Sequence, residues 1–142
     1  MSPDLAEMIE QYHRAINAFV TGDPEPQKEL FSRRDNVTLA NPLGPPARGW
    51  DQVEDTLDRA ASLVREGEPV AWERISEDAT GDMAYIVEIE RTRLKAGDAD
   101  EIAPVSLRVT TIFRREDDAW KIAHRHADPI TTPRSIESAL ES

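Results

Sequence analysis

Apolar side chains in the first half of the chain recur at the spacing of one helical face. The longest stripe runs from residue 5 to residue 20 and follows a Ser-Pro-Asp sequence that is typical of a helix start. A Thr-Gly-Asp-Pro sequence ends it, a short second helix is predicted over residues 25–31, and a third from about residue 50 to 65. The pattern therefore predicts three helices before the middle of the chain.

β-rich runs dominate the second half and are separated by short, turn-like stretches. They cover residues 70–75, 83–94, 105–115 and 120–127. Such short connections favour antiparallel hairpins. A further strand is predicted at 36–40, ahead of a proline-rich loop at 41–46. Helices first and strands afterwards predict an α+β domain, with the helices on one face of a bent antiparallel sheet.

The strands carry apolar residues on both faces, whereas one layer of helices covers only one. Tyr85, Val87 and Ile89 share a face of one strand, and Ile86 lies on the other. We therefore expect the second face to meet a second copy of the chain in a homodimer. Residues 1–142 are interpreted as a single domain with its core at about 5–129 and a C-terminal tail at 130–142.

Composition and charge narrow the function classes. The net charge of -11 argues against nucleic-acid binding and against adhesion to anionic membranes. No cysteine is present, which excludes disulfides, thiolate metal sites and a cysteine nucleophile. The sequence shows no secretory signal and no apolar run that could span a bilayer, so we expect a cytoplasmic protein.

The stretch WKIAHRHADP near the C-terminus holds the candidate proton carriers. Strand alternation predicts that five of its side chains share one face: Trp120, Ile122, His124, His126 and Asp128. The three polar groups span about 13 Å along a strand, too far to bind one ion, so no metal site is expected. Either histidine could be an acid/base group, or both could be hydrogen-bonded core or interface residues.

Several motifs together resemble the SnoaL-like, ketosteroid-isomerase-like branch of the nuclear transport factor 2-like superfamily. They are a Thr-Gly-Asp after the first helix, Glu-Leu-Phe at 29–31, VTLANPLG at 37–44, Gly49, and WKIAHRH at 120–126. The resemblance covers about residues 5–129. It implies a cone-shaped, curved antiparallel sheet with the three N-terminal helices packed on its concave face. A pocket at the open end and a dimer through the outer face are also implied.

Ketosteroid isomerases have a catalytic Asp just before the Pro of the loop, and this chain has Asn41 there. An amide cannot accept and return a proton near neutral pH. Tyr12 does not lie at the position of the tyrosine on the first helix of those enzymes. The positions nearest to their second catalytic carboxyl group are occupied by Arg108 and Thr110. Steroid isomerisation is therefore not expected.

The resemblance leaves a set of candidate ligand-binding residues, each with a structural alternative. Packing or capping would also explain the aromatic and amide side chains, and cross-strand pairing would explain the arginine. The candidates are Tyr12, Asn41, Trp50, Arg108 and Thr110.

Two functions remain open. The first is binding of a small organic molecule in the cone, with isomerase, dehydratase or hydrolase chemistry that needs no cofactor and uses His124 or His126. The second is a noncatalytic dimerisation or ligand-sensing module. Calcium/calmodulin-dependent kinase association domains support the second, because they share the closing W-x-x-x-H-x-H strand without catalysis.

Overall fold

Three helices precede most of the sheet in the computed structural model, which describes residues 1–141. The helices are α1 (Pro3–Phe19), α2 (Glu25–Leu30) and α3 (Trp50–Ala61). All three agree with the predicted helices, although α3 ends earlier than expected. A 3-10 turn at Ile136–Ala139 is exposed, as are Ile136 and Leu140. In residues 1–141, no helix has the length and apolar character that crossing a bilayer requires.

Six strands form one sheet, in the spatial order β2-β1-β6-β5-β4-β3. Their bounds are β1 (Thr38–Ala40), β2 (Ala47–Arg48), β3 (Val64–Ala79), β4 (Met83–Ala96), β5 (Ala103–Glu116) and β6 (Ala119–Asp128). The long strands β3 to β6 pair antiparallel, as predicted. The sheet is not wholly antiparallel, however, because β1 pairs parallel with β6. A helix connects β1 to the later strands, so the chain can return in the same direction.

The core lies between the helices and one face of the curved, unclosed sheet. Tyr12 and Ile16 from α1 pack with side chains of the sheet, including Ile86, Phe113 and Ile122. Burial alternates along β4, with even-numbered residues from Ala84 to Leu94 turned to the core. The fold is therefore the α+β arrangement predicted from the sequence, with the helices on the concave face.

A β-bulge at Ala123 reverses the alternation in β6. Ile112 pairs with His124, but the next residue of β5, Phe113, pairs with Ile122. Ala123 is thus an extra residue on β6. Trp120 and Ile122 are buried before the bulge, whereas Arg125 and Ala127 are buried after it. The prediction that the histidines share a face with Trp120 and Ile122 is wrong, since strict alternation does not cross a bulge.

Gly67 offers a test of how α1 packs against β3. Its N–H donates to the carbonyl oxygen of Val20 at 3.0 Å, and a Cβ at this position would lie 2.4 Å from that oxygen. We expect Gly67→Ala to lower the free energy of unfolding by about 1–3 kcal/mol, because backbone must shift to relieve the clash. Gly81→Ala is the matched control, since its new methyl group would have no atom within 4 Å beyond the two adjacent residues. Urea denaturation measures both variants, and equal losses would contradict the packing described.

Candidate ligand-binding site

A cavity of about 240 Å³ lies between the helices and the concave face of the sheet. Most of its wall is apolar and comes from α1, α3, β1, β4 and β5, with side chains that include Ile16, Phe19, Leu39, Leu57, Leu94 and Leu107. The loop after β1 contributes Asn41, Pro42 and Leu43. Because Pro42 and Leu43 are also exposed to solvent, this loop forms part of the cavity mouth.

A buried ion pair lies in this mostly apolar wall. Arg125 Nη2 donates to Glu90 Oε1 at 2.7 Å, and both residues line the cavity. Their side chains are only 9% and 5% exposed, so water screens the pair weakly. The two charges cancel, which leaves the polar part of the wall without net charge.

Tyr12 holds Arg125 in place. Its hydroxyl accepts hydrogen bonds from Arg125 Nε at 2.9 Å and from the Thr111 hydroxyl at 3.1 Å. Tyr12 is fully buried and its ring packs edge-on against Phe113. Tyr12 therefore lies behind the cavity wall and orients the arginine that reaches it.

Burial changes the proton affinity of the groups in this network. It raises the pKa of Glu90, although the nearby Arg125 guanidinium opposes the shift. Burial also raises the pKa of Tyr12, which stays protonated. For Arg125, burial favours loss of the proton, but Tyr12 and Glu90 outweigh it and raise the pKa. Glu90 is thus the carboxyl group of the cavity wall that holds its proton to a higher pH than an ordinary glutamate does.

A second polar cluster lies two residues along the same face of β4. Glu88 accepts from Arg74 Nε at 3.1 Å and lies 2.9 Å from His13 Nε2. The His13 ring stacks on Trp72 at a centroid distance of 4.0 Å. Burial favours a high pKa for Glu88, but His13 and Arg74 outweigh it and lower the pKa. The concave face therefore carries two buried carboxylates, each matched by its own cation.

The histidines predicted as proton carriers lie on the outer face of the sheet. His124 Nδ1 is 2.8 Å from the Thr38 hydroxyl, and burial together with His126 lowers the pKa of His124. His126 Nε2 is 3.2 Å from Asp128 Oδ2, and its side chain is 52% exposed. Neither lines the cavity. Their catalytic role stays a prediction, and the cavity wall gives it no support.

Two of the predicted ligand-binding residues accompany the histidines on the outer face. Thr110 is the cross-strand partner of His126, and Arg108 Nε donates to Asp128 Oδ1 at 2.7 Å. Both are absent from the cavity wall. In residues 1–141, no group of three or more His, Cys, Asp or Glu side chains is placed to hold a metal ion.

Asn41 is the predicted ligand-binding residue that the structure places in the cavity wall. Its Oδ1 also accepts a hydrogen bond from the Leu43 N–H at 2.9 Å, which shapes the loop at the mouth. Trp50 begins α3, is half-buried, and lies under the guanidinium of Arg33 at 3.5 Å from the ring centroid. It does not line the cavity.

Sequence reasoning misses Arg125 and Gln27, both of which line the cavity. Strand alternation correctly places Arg125 on the opposite face from the histidines. It wrongly predicts that the histidines share the buried face of Trp120 and Ile122, because Arg125 is the residue that is buried. From the sequence alone, Glu90 is no more than a possible partner for a histidine. Its spacing from Ile86 and Leu94, both buried, is the signal that could have placed it inside.

Replacement of Tyr12 tests whether its hydroxyl holds the network together. Tyr12→Phe leaves buried donors of Arg125 and Thr111 without their acceptor, so we expect the free energy of unfolding to fall by about 1–3 kcal/mol. Tyr85→Phe is the matched control, because the Tyr85 hydroxyl bonds only Ser76, outside the core, and its loss should change stability by less than about 0.5 kcal/mol. Thermal and urea unfolding provide the readout. Similar values for the two variants would show that the buried hydroxyl is not needed.

Comparisons with known proteins agree with this architecture. Among solved structures, a nuclear transport factor 2-like superfamily protein from Salmonella enterica serovar Typhimurium has a TM-score of 0.76 at 17% identity, covering 93% of this chain and 94% of its own. A proposed dehydratase of the NTF2-like family from Streptomyces avermitilis gives 0.72 at 21% identity, with coverages of 92% and 100%.

A proposed calcium/calmodulin-dependent protein kinase type II association domain from Thiobacillus denitrificans gives a TM-score of 0.68 at 23% identity, with coverages of 92% and 96%. These likenesses show the fold. No curated protein matches the sequence. The family described as the SnoaL-like domain matches residues 6–131, and the chain therefore belongs to the SnoaL-like domain family.

Proposed function

We propose that this chain binds a small, largely apolar organic molecule in the cavity on the concave face. The observation that carries the proposal is the Glu90–Arg125 pair, which lies in an otherwise apolar cavity wall. Burying two charges costs free energy that apolar side chains of similar size would not cost. Such a pair is better explained by recognition of a ligand than by stability of the fold.

The cavity volume limits the size of the ligand. A cavity of about 150 Å³ accommodates benzene. By proportion, the 240 Å³ cavity suits a molecule of roughly ten non-hydrogen atoms. A fused polycyclic skeleton is larger than this volume. The size therefore supports the expectation that steroids are not the substrates.

Any acid/base reaction in the cavity would fall to Glu90. General acid/base catalysis of isomerase, dehydratase or hydrolase reactions needs a group that exchanges protons near neutral pH. Burial raises the pKa of Glu90, and the carboxyl group lies in the wall where a ligand would contact it. His124 and His126, by comparison, lie on the opposite face of the sheet.

A variant that fills the cavity tests the binding proposal. Val105 lines the cavity, so Val105→Trp should exclude small aromatic fragments and weaken their binding at least about tenfold. Val70→Trp is the control, because Val70 is exposed and outside the cavity. Ligand-observed NMR with fragments of about ten non-hydrogen atoms measures binding, and circular dichroism confirms folding of each variant. If no fragment binds the unaltered protein, the proposal is wrong. It is also wrong if Val105→Trp binds the fragments as tightly as the unaltered protein does.

We also propose that the outer face of the sheet forms a homodimer. Its apolar side chains are partly or largely exposed, and include Tyr85, Val87, Ile89 and Ile112. The helices cover only the other face, so a second copy would bury this one. The Thiobacillus denitrificans structure, described as an association domain, is similar in fold. If the dimer binds ligands without converting them, a noncatalytic ligand-sensing or assembly module would be the better description.

Sedimentation tests the dimer. We expect a mass near twice the 16.0 kDa of one chain. Val87→Glu places a charge in the middle of the outer face and should shift the protein to the monomer. Ile136→Glu, a substitution at an exposed position in the C-terminal tail, should leave the mass unchanged. A monomer in the unaltered protein would contradict the proposal.

A further inference from the structure

We infer that the ligand carries a neutral polar group that both donates and accepts hydrogen bonds, of which a primary carboxamide is the simplest example. The inference rests on the proposed binding function and specifies which chemical class the cavity takes. Its supports are the charge balance of the wall, the unused hydrogen-bonding atoms of the ion pair, and an unsatisfied buried amide.

Charge balance disfavours an ionic ligand. Arg125 and Glu90 already neutralise each other at 2.7 Å, and the neighbouring Glu88 is paired with Arg74 and hydrogen-bonded to His13. A carboxylate entering this wall would meet Glu90, and an ammonium would meet Arg125. Either ion would leave an uncompensated charge in a place that water barely reaches, which is costly.

The ion pair has hydrogen-bonding capacity that its own bonds leave unused. Arg125 uses Nε for Tyr12 and Nη2 for Glu90, and Glu90 uses Oε1 for Arg125. Within residues 1–141, Nη1 of Arg125 and Oε2 of Glu90 have no hydrogen-bond partner. A carboxamide could accept from Nη1 through its oxygen and donate to Oε2 through its N–H. A ligand group that only accepts hydrogen bonds would satisfy Nη1 but not Oε2, and a group that only donates would satisfy Oε2 but not Nη1.

Gln27 adds a neutral amide to the same cavity. It lines the cavity from α2, it is only 1% exposed, and its Oε1 is buried with no hydrogen-bond partner. An unpaired buried polar atom is unfavourable, so a ligand could gain from bonding to this amide once the amide is turned towards the cavity. Rotation about its last side-chain torsion presents either the oxygen or the NH₂ group. A ligand with both donor and acceptor can match either orientation, whereas a hydrocarbon matches neither.

Four probes that share one phenyl body separate the possibilities. Phenylacetamide is the neutral donor and acceptor, phenylacetate is the anion, phenethylamine is the cation, and ethylbenzene is the apolar reference. Dissociation constants at pH 7.5 are measured by ligand-observed NMR and by calorimetry. We expect phenylacetamide to bind roughly tenfold tighter than ethylbenzene, and tighter than both ions.

The outcomes separate failure of this inference from failure of the proposed small-molecule binding. Tightest binding by phenylacetate or phenethylamine would overturn the inference and leave small-molecule binding intact. Equal binding of phenylacetamide and ethylbenzene would also overturn it, because the polar wall would then contribute nothing. Failure of all four probes, together with the fragments that test the cavity, would remove the binding function itself.

Replacement of Gln27 isolates the contribution of its amide. Gln27→Met keeps the length of the side chain, and we expect it to weaken phenylacetamide roughly three- to tenfold while leaving ethylbenzene unchanged. The variant should be at least as stable as the unaltered protein, because it removes an unpaired buried oxygen. Gln11→Met, at an exposed position of α1, is the matched control and should change neither affinity. Unchanged phenylacetamide affinity in Gln27→Met, or an equal loss for both probes, would count against the inference.

Discussion

The β-bulge at Ala123 decides which chemistry faces the cavity. The residues on either side of it, Ile122 and His124, pair with consecutive residues of β5, so every later side chain of β6 changes face. Arg125 therefore turns inward and the two histidines turn outward. With regular alternation, the imidazoles would lie on the concave face and the guanidinium would lie on the outer face. The ion pair and the hydroxyl network both depend on this one extra residue.

The network around Arg125 also shows how a small domain tolerates charge in its core. Removing a single partner would leave a buried charge or donor unmatched, which costs more than the intact arrangement does. The bonds link its members: Arg125 donates to Glu90 and to Tyr12, and the Thr111 hydroxyl also donates to Tyr12. Such a set fixes one orientation for the arginine side chain. A rigid arginine is better prepared to meet a ligand, because less conformational entropy is lost on binding.

The sequence predicts the architecture well and the site poorly, for different physical reasons. The helix stripe of α1 and the long strands extend over many residues, so their periodicity stands out against local exceptions. The motifs at 37–44 and 120–126 then indicate the family fold. The bulge, in contrast, involves one small residue, and the binary pattern around it is ambiguous because Arg125 lies between two histidines. The burial of Gln27 could not be predicted either, since it depends on how the short α2 packs against α1 and the cavity.

The position of Asn41 shows how the site differs from that of a ketosteroid isomerase. The amide oxygen of Asn41 accepts from the Leu43 N–H and so helps to shape the mouth, a task that needs no proton transfer. The carboxyl group of the cavity is supplied instead by Glu90, on the inner strand β4 rather than on the loop. A strand holds its side chains more rigidly than a loop does, and Arg125 fixes this one further. In the proposed function, the carboxyl group that would exchange protons therefore lies on the sheet wall, whereas the loop lies at the mouth. This arrangement would favour small ligands held by their polar end over extended ones held at the mouth.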